Sequence, residues 1–160
     1  MAEIRFGHRE GPGKGKEYPV AASQTFYRRG GHFCYLDSTG AVTLANCNSA
    51  TSIFGWVETP KDAAGYTYWT SDSTAKVDKV FVIFPTQNDI FEMPCVDNSL
   101  TATNIGRGAA VVVRSGIQKA DLSNTASAPM LTVVGISRDT DTSATYNVLV
   151  RVKSKSVQDV

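Results

Sequence analysis

The chain has 160 residues, 42% of them apolar, which is one ordinary domain with enough material for a core. Its 16 Lys and Arg nearly balance 15 Asp and Glu, so the overall charge points to no class of partner. No segment approaches the ~18 continuous apolar residues of a spanning helix, and three Cys without a C-x-x-C pair argue against a disulfide framework.

In chain order, Met1 to Phe6 has no apolar run after a basic one, which predicts no secretory signal. Residues 1–29 show neither helical nor strand periodicity and are punctuated by Gly7, Gly11, Pro12, Gly13, Gly15 and Pro19. The apolar residues Ile4, Phe6, Tyr18 and Val20 occur singly. Such a segment buries too little to offset its ordering entropy and reads as a loose arm. The arm is basic, with six Lys or Arg against three Glu, and residues 151–160 add three basic against one acidic. The stretch between carries seven basic and eleven acidic residues, so positive ends flank a negative body.

From Gly30 the texture becomes short β-rich runs separated by turn residues. Residues 32–36, Asp37-Ser38-Thr39-Gly40 and 41–44 predict a hairpin. Further strands are predicted over 52–57, 66–70, 80–84, 90–93, 109–114, 131–137 and 146–152. The last alternates most cleanly, with Tyr146, Val148, Val150 and Val152 on one face. Residues 97–108 and 120–129 read as long excursions. The expected fold class is all-β, a single small barrel or sandwich-like domain over 30–160 with an extended N-terminal arm over 1–29. Cys34, Cys47 and Cys95 are expected as small buried side chains in a protein that folds in a reducing cytoplasm.

The motifs of catalysis do not assemble. A Ser or Cys triad needs a histidine, and only His8 and His32 are present, neither in a nucleophile signature. Asp139-Thr140-Asp141-Thr142-Ser143 starts like a calcium loop. Ala144 then stands at the turn glycine and Val150 at the bidentate acid, so a polar hairpin turn is expected. Gly13-Lys14 and Gly15-Lys16 lack the following Ser or Thr of a phosphate loop. No cofactor, metal or catalytic residue is expected. The aromatics Trp56, Tyr66, Tyr68 and Trp69 are candidates for exposed contacts, with burial in a core or subunit contact the favoured alternative. Acidic Glu58, Asp62, Asp72 and Asp78 around them count against nucleic acid. If extended, about 25 arm residues at ~3.3 Å each reach roughly 80 Å. Such an arm fits a partner's groove or sheet edge through Ile4, Phe6, Arg9, Tyr18 and Val20.

The stretch from Gly30 to Val152 resembles the capsid decoration, or cement, proteins of tailed bacteriophages. The resemblance lies in Gly31-His32-Phe33, Gly40-Ala41-Val42, Phe54-Gly55-Trp56, Tyr68-Trp69-Thr70 and 77–83. It continues in 89–94, Ile105-Gly106, Asp121-Leu122-Ser123 and 131–135. The resemblance implies a small β-rich virion protein that binds the outside of the shell and cements neighbouring major capsid protein subunits against DNA pressure. It implies self-association as a homotrimer, with a dimer as the other state, and a place on the outer capsid surface after synthesis in the bacterial cytoplasm. No membrane and no nucleic acid partner is expected. The alternatives are a carbohydrate-binding β module and a tail-tube or head–tail joining subunit.

Overall fold

The computed structural model describes residues 6–47, 52–60, 67–97, 99–123, 129–137, 146–153 and 157–158. Ile4, Tyr66 and the stretch 139–143 lie outside the described residues. The chain is all-β and sandwich-like, as the turn-punctuated pattern requires. Its strands are β1 (Gly7–Glu10), β2 (Gly15–Pro19), β3 (Thr25–Tyr27), β4 (Phe33–Leu36), β5 (Val42–Leu44), β6 (Gly55–Glu58) and β7 (Tyr68–Thr70). They continue with β8 (Lys79–Ile83), β9 (Ile90–Pro94), β10 (Gly108–Arg114), β11 (Ile117–Asp121), β12 (Leu131–Ser137) and β13 (Asn147–Val152).

A six-stranded sheet runs β1-β9-β13-β12-β10-β11, a five-stranded sheet β2-β8-β6-β4-β5, and a ribbon β3-β7. All the strand pairings are antiparallel. Both sheets curl. The far edge of the six-stranded sheet returns to the end of β9 through a parallel bridge between Cys95 and Ala120. In the other sheet Val20, just past β2, bridges Val42 on β5, and the Ala21 amide donates to the Val42 carbonyl.

Two cores follow from this layering. One lies between the two large sheets, where Phe33, Trp56 and Phe91 pack with ring centroids 4.8–5.3 Å apart. The other lies between the five-stranded sheet and the ribbon, where Phe26 stacks on Trp69 above Val57, Val80 and Val82. The five-stranded sheet is thus apolar on both faces over part of its length. Gln118 fastens the sheets together from β11. Its buried side chain accepts from the Phe33 amide and donates to the Phe33 and Ala45 carbonyls, all at 2.8 Å. A buried amide satisfied this way stabilises, whereas an unpaired one costs about 1–3 kcal/mol.

The predicted hairpin is present as β4 and β5. Asp37 Oδ1 accepts from the Thr39 and Ala41 amides, and Gly40 adopts a positive φ of 76°. The N-terminal segment differs from expectation. Residues 7–27 are not a loose arm: β1 closes one edge of the six-stranded sheet, β2 one edge of the five-stranded sheet, and β3 half of the ribbon. The physical reason is that their order rests on the sheets they join together with a few single buried residues, Val20 and Phe26 above all. They exchange backbone hydrogen bonds with β9, β8 and β7, which come later in the sequence.

Candidate docking surface

The link between β1 and β2 shows how the N-terminal segment is held. Asp89, fully buried, accepts at Oδ1 from His8 Nε2 at 2.7 Å and the Gly13 amide at 3.0 Å. At Oδ2 it accepts from the Thr86 amide at 2.8 Å and the Thr86 hydroxyl at 2.6 Å. Burial pushes the Asp89 carboxyl upward, but these hydrogen bonds outweigh it and hold the group below its ordinary value. The glycines once suggestive of disorder serve this turn. Gly11 and Gly13 take φ of +102° and +57°, and a Cβ on Gly11 would lie 2.5 Å from the Asn88 carbonyl oxygen.

The sequence-predicted contact residues fall differently from expectation. Phe6 is half-buried against the core between the sheets, and Arg9 pairs with Glu92 of β9 at 2.7 Å. Tyr18 packs edge-on to Phe54 at 4.9 Å, and Val20 is buried in the second core. Four of the five arm residues therefore have partners inside the chain, which corrects the picture of side chains free to fill pockets elsewhere. Trp56 is 1% exposed and Trp69 half-buried, both in core clusters, whereas Tyr68 is 50% exposed. Tyr68 faces outward because β7 alternates: Trp69 points into the second core, and its neighbours point away. The outer ribbon face thus carries Tyr27 and Tyr68, centroids 5.5 Å apart, and a Thr25–Thr70 hydroxyl contact.

Titratable groups in unusual settings are engaged in structure. His32 is enclosed by Phe26 and Trp56, with Nδ1 3.1 Å from the Val57 carbonyl and Nε2 2.8 Å from that of Tyr27. Burial lowers its pKa from the ordinary histidine value, against the pull of these two carbonyls. Burial pushes the Cys95 thiol up to about 12 and the Cys34 thiol upward as well. Thiols so raised are inert as nucleophiles at neutral pH. Cys34 and Cys95 are buried as expected, while Cys47 is partly exposed. Among the described residues no three His, Cys, Asp or Glu gather into a metal-holding group, and no helix is long and apolar enough to cross a membrane.

A surface that sequence reading missed lies on β8. Phe81 is 40% exposed and sits directly opposite Glu17 of β2 on one side and Glu58 of β6 on the other. One row along, Ile83 lies opposite Gly15 and Trp56 and is buried against the six-stranded sheet. The cover therefore stops between these rows. Gly7 marks the boundary, because a Cβ there would touch Trp56 Nε1 at 3.6 Å and Glu58 Oε1 at 4.0 Å. In the other direction Lys79 lies opposite Pro19, and Val77, just before β8, is 60% exposed. The alternation in Lys79-Val80-Phe81-Val82 was a usable signal for the side that Phe81 takes, since Val80 and Val82 share the face toward the second core. Comparison with protein-family models, curated proteins and solved structures returned no match to this chain.

Proposed function

We propose that this chain is a structural docking protein of a phage capsid, binding the outside of the shell and bridging neighbouring major capsid protein subunits. One observation carries the reading. The buried polar side chains of Asp89, Gln118 and His32 are engaged in hydrogen bonds that hold the fold, while Tyr68 and Phe81 stand outward on paired strands and Val77 just before β8. Among these, Phe81 flanked by Glu17 and Glu58 has the apolar centre and charged rim that association surfaces use. The motif resemblance between Gly30 and Val152 names the shell as the larger assembly. Self-association into a trimer would link several weak contacts, each later one forming at high effective concentration. Cosedimentation with purified expanded shells tests this reading. It expects saturable binding at hundreds of copies per particle, and no binding to intact shells would overturn it.

A carbohydrate contact is the second reading, favoured by the exposed Tyr68 beside the half-buried Tyr27. Aromatic faces stack on sugar rings. A glycan array with wild type and Tyr68→Ala expects a signal that the substitution removes, and silence across the array would retire it.

A further inference from the structure

We infer that the outer edge of β2, together with the Glu17–Phe81–Glu58 row, is a docking site for an extended basic segment of a partner protein. The inference rests on the docking reading above and specifies its partner. The Phe84 amide donates to the Lys14 carbonyl and the Val20 amide to the Asp78 carbonyl. Alternation along an antiparallel ladder then turns Lys14, Lys16, Tyr18 and Val20 toward β8. Gly15, Glu17 and Pro19 direct their backbone groups outward. Pro19 fits that side because it has no N–H to offer the ladder. Past Pro19 this outward side meets β5 through the Val20–Val42 bridge. Over Gly15 to Glu17, however, β2 is the last strand of its sheet among the described residues, and the backbone groups of Gly15 and Glu17 are available to an added strand.

The side chains beside that edge say what kind of strand fits it. An added strand would place a side chain directly opposite Glu17, at the spacing where opposite charges across strands attract. Phe81 lies one strand further in, about 10 Å from the added backbone, with Glu58 beyond it. Only a long side chain spans that distance. Arginine has the length, forms paired hydrogen bonds with carboxylates and stacks its planar cation on an aromatic face. Lysine satisfies the charge but not the stacking. Lys79, next along the face opposite Pro19, sets the limit of the acidic row and favours a partner whose cation falls at Glu17 and not beyond it. The edge is short and carries a proline, which suits a brief, specific contact and resists open-ended strand pairing. Strand addition of this kind draws affinity from the backbone and specificity from the alternate side chains.

The test uses the full chain and a short blocked peptide of alternating valine and arginine, with a valine–glutamate peptide as control. Titration followed by amide NMR shifts is expected to move Gly15, Glu17, Glu58 and Phe81 with the arginine peptide alone, and added salt is expected to weaken the effect. Glu17→Lys with Glu58→Lys is expected to weaken binding about tenfold. Glu17→Pro removes an outward N–H without touching the β8 ladder and is expected to abolish binding. Phe81→Ser, at an exposed position, is the second variant should the proline disturb folding, and it is expected to weaken binding of the arginine peptide. Equal binding of both peptides, shifts centred on another face, or affinity unchanged in these variants would overturn the inference. Self-association through β2 in sedimentation would assign the edge to a second copy instead. Binding seen only after removal of residues 1–5 would assign the face to the chain's own N-terminus. Peptide binding is independent of any capsid, so its failure and that of shell cosedimentation are separately readable.

Discussion

β13 and the N-terminal pair β1 and β2 are all sheet strands, yet they are held by opposite means. β13 brings its own apolar face: Val148, Val150 and Val152 are buried in the core between the sheets, and β12 and β9 flank it on both sides. β1 and β2 bring few buried side chains and lie at sheet edges. They are fixed by ladders to β9 and β8 and by carboxylates that reach out from the body, Asp89 to His8 and Gly13, Glu92 to Arg9. A strand in the middle of a sheet must announce itself in its sequence, because its side chains meet a core. An edge strand can be ordered by its neighbours alone.

The largest break in this comparison is deletion of residues 1–20. A free arm could be removed without loss, whereas removal here strips one edge from each sheet and the buried Val20 from the second core. The shortened chain is expected to lose cooperative thermal unfolding by circular dichroism. Asp89→Ala comes next, because it leaves the Gly13 and Thr86 amides without their acceptor at a cost of about 1–3 kcal/mol for each group that stays buried. Urea unfolding of that variant measures the sum. Val150→Ala, in the self-sufficient strand, removes two methyl groups from a closed core and is expected to cost roughly 2 kcal/mol by the same measurement. Arg9→Ala is the smallest, under about 1 kcal/mol, because the Arg9 side chain is partly exposed to water.

Acid sharpens the same contrast. Asp89 and His32 both have folded pKa values below their ordinary ones, so the unfolded chain binds their protons more readily. Stability is expected to be full above about pH 6.5 and to begin falling below it as His32 of the unfolded chain charges. It should fall again below about pH 4 as the unfolded carboxyl of Asp89 takes up its proton, continuing through the lower folded value. Urea midpoints between pH 8 and 3 check this, and Asp89→Asn is expected to flatten the lower limb without altering the upper.

The legibility of the sequence follows the same division. The hairpin of β4 and β5, the long β12 and the alternating β13 were readable because turn chemistry and apolar period agree in them. β1, β2 and β3 were not, since Gly11 and Gly13 signal close approach to Asn88, Asp89 and His8 as well as they signal disorder. β11 was missed because two of its three buried residues, Gln118 and Asp121, are polar, and the three hydrogen bonds of Gln118 are supplied only by the folded structure. Trp56 and Trp69 look alike in sequence but belong to different cores, a distinction that depends on which face of a doubly covered sheet each meets. The Phe81 row was hidden for a related reason: where the covering sheet stops is a tertiary fact.

Amide hydrogen exchange across residues 7–20 of the intact chain tests most directly whether the N-terminal segment is part of the sheets. The account predicts slow exchange at Lys16, Tyr18 and Val20, whose amides face β8, and fast exchange at Gly15 and Glu17, which face outward. Uniformly fast exchange from Gly7 to Val20 while β12 and β13 remain protected would contradict it.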